Sequence, residues 1–419
     1  MRNPIYKNRP VGPSPARIEA ERINDFIVMS EGYSNSYLIE TKKDNIQINA
    51  GLGMEAAIHA QSYAPFSDKP VRYLIVTQGH PDHVGGVGYF RSKNPELELI
   101  ATSGNQEHQT YERRLLPFRV ERSSFAFRQR NIDYFQWASE NSPEGVANQD
   151  FPVPDITFDE SYELEYGGVR LQLLAVPGAE TNDSMIVWLP DHKICLTGNL
   201  FGCPFGHFPN LITIRGDRYR DALTCAAAAE TVRQLEPEMI LYGHHAPVVG
   251  AAVIQEELIA YRDAIHHVHD ETVAGMNAGQ DVHTLMREIK IPPEMEVGQG
   301  YGCVPWSVRA IWESYGGWFH HESTTELYGV PSSSIHADLI DLAGGPEALA
   351  ERARARFENG DPLEALHLLD IVLSEAPNEP TALRVSIDVH RALLEEAGNF
   401  WLENWLRHQI EEMEKKHLT

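Results

Sequence analysis

The chain has 419 residues, 42% of them hydrophobic and 9% aromatic, which is too long for one ordinary domain and enough for more than one buried core. Lys and Arg total 35 against 60 Asp and Glu, a net charge of −25, and so acidic a surface excludes nucleic acid as a partner because nucleic acid rewards basic patches. The same charge offers an anionic substrate no long-range attraction, so an anion has to be captured locally, by a metal or a placed arginine.

The opening residues Met1-Arg2-Asn3-Pro4-Ile5-Tyr6 carry no apolar leader core, and no run approaches a membrane span. The four cysteines, Cys195, Cys203, Cys225 and Cys303, form no Cys-x-x-Cys pair and read as buried reduced thiols. The expectation is a cytoplasmic protein with no membrane partner.

Short β-like runs at 26–29, 36–39 and 46–48 read as consecutive strands, followed by a helix over 54–64. The apolar run Tyr73-Leu74-Ile75-Val76 reads as a buried strand, and 97–100 as a half-buried one. The Arg- and aromatic-rich segment 116–154 fits neither pattern and is read as an insertion that shapes a substrate pocket. Strands follow at 169–174, 185–189 and 194–196, the last two as a hairpin across 190–193, with helices over 219–234 and 254–274. His266, His267 and His269 are read as solvated on the second of these helices, and His207 and His245 as non-ligating. Strands followed by helices, repeated twice, predict layered α/β packing. From about Gly345 the pattern is helical, broken at Gly360-Asp361-Pro362 and Pro377-Asn378-Glu379-Pro380. The domain boundary is placed near 276, giving an α/β domain over 1–276 and an all-α domain over 277–419.

The most specific feature is Thr77-Gln78-Gly79-His80-Pro81-Asp82-His83, at the end of the 73–76 strand. His80, Asp82 and His83 can aim three donors into one cleft, the requirement for holding a metal on a rigid element. The run resembles the His-x-His-x-Asp-His signature of the metallo-β-lactamase superfamily, with Gln78 where the first histidine stands. Further segments match in order. Asn49-Ala50-Gly51 resembles the opening hairpin's end, with Asn49 for the usual Asp. Pro177-Gly178-Ala179-Glu180 resembles the third motif, Thr197-Gly198-Asn199 the segment of the bridging carboxylate, and Gly243-His244 the last ligand.

Within the superfamily the chain resembles the alkylsulfatase branch. Glu180 matches that branch's third-motif ligand, Asn210-Leu211-Ile212-Thr213-Ile214-Arg215-Gly216 its sulfate-binding stretch, and Tyr315-Gly316-Gly317-Trp318-Phe319 the start of its helical dimerisation domain. Glu107-His108, Glu112 and Arg122 echo an Arg-rich substrate-side segment. The sterol-carrier-like third domain of full-length alkylsulfatases is not matched. The resemblance implies an αββα sandwich followed by a helical domain that forms a homodimer. It implies a first metal at Gln78, His80 and Glu180, and a second at Asp82, His83 and His244. Asn199 or Gly198 falls on the bridging position, and neither is a carboxylate.

Two arrangements stay open: one ion at Asp82, His83 and His244, or two ions with Gln78 and Asn199 as neutral donors. The expected ion is zinc, with iron or manganese as alternatives. The expected activity is hydrolysis of an ester-like bond, such as a sulfate ester, in a small and anionic substrate. Asp82 serves the metal-activated water, and Arg215 with Asn210 holds the anion. The alternatives are a non-haem iron oxygenase, lyase or decarboxylase on the same fold, a decayed pseudoenzyme, and a non-catalytic dimeric binding protein.

Overall fold

The structure is a computed structural model that describes residues 3–12, 17–142 and 144–417, so Met1 and Arg2 of the opening segment lie outside the described residues. It divides into two compact units, Met1–Tyr315 and Gly316–Thr419.

In the first unit, β1 (Glu21–Arg22), β2 (Ile27–Ser30), β3 (Ser36–Ile39), β4 (Asn45–Ile48), β5 (Val71–Ile75), β6 (Glu98–Thr102) and β7 (Ile156–Phe158) form one sheet in that order. Its first four strands are an antiparallel meander, and β4 to β7 run parallel. The parallel steps need crossovers, which helices α1 (Ala56–Tyr63), α2 (Pro81–Val84), α3 (Val87–Lys93) and α4 (Asn105–Asn141) supply. A second sheet holds β8 (Ser161–Tyr166), β9 (Val169–Ala175), β10 (Met185–Leu189), β11 (Ile194–Gly198), β12 (Met239–Tyr242) and β13 (Val248–Val249). Only its β11–β12 step is parallel. Helices α5 (Ala222–Gln234), α6 (Ala251–Asn277), α7 (Val282–Glu288) and α8 (Val304–Gly316) complete the list.

Strand β10 shows how the layers are specified. Every residue in it is buried. Met185, Val187 and Leu189 enter a core with Ile46 and Leu74 of the first sheet, whereas Ile186 and Trp188 pack with Ala226 of α5 and Ile254 of α6. Alternate side chains of a strand face opposite ways, so a strand covered on both sides must be apolar throughout. This is the sheet-on-sheet core of an αββα sandwich, as expected.

Four features depart from the sequence reading. The segment 116–154 is irregular only in its last part, since α4 continues to Asn141 with Pro117 inside it and the described residues from there to 154 form neither helix nor strand. The proline and the lack of a narrow apolar stripe hide a helix whose functional face is mixed. Strands β7, β8, β12 and β13 are short or charged and carry no clean signal. His267 and His269 are half-buried rather than solvated, with Nε2 2.9 Å from the Lys290 carbonyl and 2.9 Å from the Tyr315 hydroxyl. Residues 277–315, read on sequence with the helical domain, contribute Leu285, Val304, Val308 and Ile311 to the first unit's second core.

The second unit contains α9 (His336–Ala343), α10 (Pro346–Glu358), α11 (Pro362–Glu375), α12 (Pro380–Glu396) and α13 (Phe400–His417). Proline opens α10, α11 and α12, where its missing N–H is not needed. Small residues let these helices approach closely, with Ala350, Ala353, Ala365 and Ala382 in one core beside Leu369 and Val385.

Candidate metal centre

The loops after β4, β5, β11 and β12 carry the candidate residues, at the carboxyl ends of parallel strands where α/β folds place their sites. Asn49 follows β4 in the left-handed region, with φ of 58°, a conformation asparagine tolerates. Its Oδ1 accepts from the Thr77 backbone N–H at 2.9 Å and from Thr77 Oγ1 at 3.1 Å. Asn49 therefore ties the end of β4 to the loop that bears the histidines. Gly198, with φ of 54°, lies against the same threonine, and a Cβ there would stand 2.2 Å from Thr77 Oγ1. His80 then caps α2, Pro81 starts it, and one helical turn presents Asp82 and His83.

Asp82, His83 and His244 converge, with one potential ligand atom from each lying within 4.8 Å of the others. Asp82 Oδ2 is 3.6 Å from His83 Nε2 and 3.8 Å from His244 Nε2. His244 Nδ1 is 2.8 Å from the Tyr33 carbonyl, so it donates there and Nε2 keeps its lone pair toward Asp82. Tyr33 is itself held: its N–H donates to the Glu55 carboxylate, which also accepts from the Tyr134 hydroxyl. Burial raises the pKa of Glu55 to about 7. Burial lowers that of His83, and that of His244 to about 4, although the Asp82 charge opposes both shifts. Neutral imidazoles are the ligating form. Neither nitrogen of the buried His83 ring has a partner in strict hydrogen-bonding geometry, the Asn199 side chain being a looser polar support. A buried ring so weakly partnered beside a carboxylate costs stability in an apo protein, and a divalent cation would satisfy it. The three residues thus fit a metal ion.

The expected first site is arranged differently. Gln78 Nε2 lies 2.7 Å from His80 Nδ1. Glu180 Oε1 lies 2.9 Å from Arg220 Nη2, while Arg220 donates its Nε to the Glu180 carbonyl and its Nη1 to the Asn210 carbonyl, both at 2.8 Å. Burial raises the Glu180 pKa, against the charges of Arg220 and Arg215. The potential ligand atoms grouped with His80 belong to His108 and Glu112 of α4, not to Glu180.

A cleft of about 290 Å³ opens over these groups, with Asn199, Arg215, His244 and Tyr301 in its lining. The side chains of Glu112, Leu116, Arg119, Ser123 and Phe127 line it from α4. Their three- and four-residue spacing is one helical face, so α4 is the cleft's wall. Arg215 Nη2 is 3.8 Å from Asp217 Oδ2, a loose contact. Burial works against the Asp217 carboxylate, yet Arg220, Arg215 and Arg119 outweigh it and hold its pKa below the ordinary value. Arg122 donates to the carbonyls of Ile214, at 2.9 Å, and Arg215, at 3.2 Å, and so fastens α4 to the Arg215 loop. Asn210 is buried and not among the described residues that line the cleft. His207 and His245 are also buried, and His207 Nδ1 accepts from the Gly300 N–H at 3.0 Å.

The family model of the metallo-beta-lactamase superfamily matches residues 29–244, which span both sheets and every member of the Asp82, His83 and His244 group. The chain belongs to that superfamily. A second family model, alkyl sulfatase dimerisation, matches residues 282–416. Among curated relatives of this chain is a linear primary-alkylsulfatase of a Pseudomonas strain, 27% identical over 90% of this chain and 74% of that one. The alkyl/aryl-sulfatase BDS1 of Saccharomyces cerevisiae is 24% identical over 88% of this chain and 59% of its own length. Among solved structures, the stereoselective inverting sec-alkylsulfatase Pisa1 from Pseudomonas sp. shares the fold, with a TM-score of 0.81 at 21% identity, over 96% of this chain and 66% of that one. Apart from the first, these relatives extend well beyond the matched part. No helix among the described residues is long and apolar enough to cross a membrane.

Sequence reasoning placed His108 and Glu112 with a substrate-side segment but missed that they group with His80 as potential metal ligands, and it missed Arg119. A His and a Glu four apart on a helix share one face, and that spacing was the available signal. It was masked because the resemblance assigned His108 and Glu112 to the substrate side rather than to the metal.

Proposed function

We propose that this protein is a metal-dependent hydrolase of the alkylsulfatase type, cleaving the sulfate ester of a small organic alcohol. The observation that carries the reading is the convergence of Asp82, His83 and His244, with Asp82 and His244 lining one cleft with Arg215. The alkylsulfatase names of its relatives support the substrate class. A divalent cation, zinc on this donor set, would be held by Asp82, His83 and His244 and would supply Lewis acidity and an activated water. Arg215 captures the anionic head by charge-assisted hydrogen bonds, the local attraction that a chain of net charge −25 needs. Leu116, Val120 and Phe127 on the α4 face cover the hydrocarbon and keep water from it. Asn210 acts from behind, through its carbonyl on Arg220, and keeps the Glu180 and Arg215 loops in register.

The helical unit forms a homodimer, a reading supported by the match to the dimerisation family and by exposed Leu342 (84%) and Leu363 (60%). Four free cysteines, three of them buried, suit a cytoplasmic location. The two-His-one-carboxylate set also suits iron(II), and a metal analysis of protein purified without added metal separates the two readings. The direct test is release of inorganic sulfate from primary and secondary alkyl sulfates by zinc- or manganese-loaded protein. No release across chain lengths, with metal bound, would sink the hydrolase reading.

A further inference from the structure

The His80, His108 and Glu112 group is a second set of two imidazoles and one carboxylate, and its His80 and Glu112 line the same cleft as Asp82 and His244 of the first. We propose that it is a cation site, built from α4 in place of the expected ligands Gln78 and Glu180. The inference rests on reading the cleft as a metal centre and adds where its other ion binds.

Four observations carry it. One potential ligand atom from each residue lies within 4.8 Å of the others, and ligands about 2.1 Å from a tetrahedral ion sit about 3.4 Å apart, so a small contraction closes the set. His80 Nε2 and His108 Nε2 are both buried and have no hydrogen-bond partner. The other nitrogen of each ring is engaged: His108 Nδ1 lies 2.8 Å from Asn182 Oδ1, and His80 Nδ1 2.7 Å from the Gln78 amide. A ring whose Nδ1–H donates to a carbonyl oxygen keeps Nε2 as a lone pair, the orienting arrangement of metal-bound histidines. For His80 this requires the Gln78 amide to present its oxygen, a 180° turn that leaves the heavy atoms in place. Finally, each carboxylate pairs with an arginine, Glu180 with Arg220 and Glu112 with Arg119, but only Glu112 places an oxygen in the group with His80 and His108.

The positive neighbours do not forbid a cation. Arg119, Arg215 and Arg220 lie nearby, but Glu112 and Asp217 pair with Arg119, Glu180 pairs with Arg220, and Asp82 and Asp183 remain in addition. The ion would share Glu112 with Arg119, whose guanidinium also reaches Asp217.

Zinc content per folded chain, measured by plasma mass spectrometry after dialysis, tests the site with a readout other than activity. The expected results are two ions in the wild type, one in His108→Ala and Glu112→Gln, two in Glu180→Gln, and one retained in His83→Ala. Gln78→Leu is expected to weaken one of two calorimetric binding phases about 10- to 100-fold, as loss of an orienting partner does. Circular dichroism checks that each variant is folded. Should His108→Ala fail that check, the wild-type titration and Glu112→Gln decide. The inference is overturned if Glu112→Gln keeps the wild-type count, if Glu180→Gln loses an ion, or if the wild type binds one ion that only His83→Ala removes. That last result would leave the proposed function standing, whereas a wild type that binds no ion would overturn both.

Discussion

The Gln78 side-chain nitrogen lies 2.7 Å from Nδ1 of His80, in the sequence position where the superfamily pattern has another histidine. The residue that looks like a missing ligand is thus in contact with the ring of a ligand candidate. On this account the substitution changes Gln78 from a donor to the metal into a residue that orients His80, and the donor it replaces comes from another element, α4.

On the proposed reading, Arg215 in the cleft lining recognises the negative charge of the substrate. Arg215→Ala should lower kcat/KM for an alkyl sulfate by about 10- to 100-fold, the range of about 1.5–3 kcal/mol for a hydrogen bond to a charged group. A neutral carboxylic ester of the same chain length should be much less affected. Equal losses on both substrates would show that Arg215 only supports its loop.

The α4 face predicts a chain-length dependence. Each methylene that reaches Leu116, Val120 or Phe127 should improve kcat/KM about fourfold, from about 0.8 kcal/mol per buried CH₂. Leu116→Ser with Val120→Ser should flatten this slope without changing the rate on the shortest substrate. A slope that survives the double variant would place the hydrocarbon elsewhere.

How much of this was legible in the sequence follows from where the information is local. Strand β10 and the loop at 77–83 announce themselves, since a wholly apolar run and three donors within four residues need no partner to be recognised. The prolines that open α10, α11 and α12 make the helical unit equally readable. The role of α4 was hidden because its helical face is defined by what it covers, a charged and apolar cleft, and a mixed face gives no periodic signal. The pairing of Glu180 with Arg220, 40 positions apart, and of Asn49 with Thr77 are tertiary facts with no sequence marker.

Asn49 illustrates the consequence for stability. Its Oδ1 satisfies two donors of Thr77, so Asn49→Ala should cost about 1–3 kcal/mol, the range for leaving a buried polar group unsatisfied. The urea midpoint of the metal-free protein reports this. An unchanged midpoint would mean that water replaces the amide.

Two histidines remote from the candidate ligands set a pH dependence. Burial lowers the pKa of His59 and of His207 to about 4, from an ordinary value of 6.5. Between those values the unfolded chain binds more protons than the folded one, so stability rises with pH. The metal-free protein should therefore lose stability as pH falls from about 6.5 toward 4, and His59→Gln should show a shallower loss over that window. The buried Glu55, at about 7, contributes the opposite sign over its own window and reduces the net slope. Denaturation midpoints at pH 7 and 5 check the difference between wild type and variant.

The central claim is that Asp82, His83 and His244 hold a metal ion that this protein uses to hydrolyse a sulfate ester. It is tested most directly by inorganic sulfate release from dodecyl sulfate, measured together with bound zinc in the wild type, Asp82→Asn and His244→Ala. The account predicts sulfate release by the metal-loaded wild type, and loss of both release and one bound ion in each variant. Wild-type release rates in a folded His244→Ala protein would contradict it.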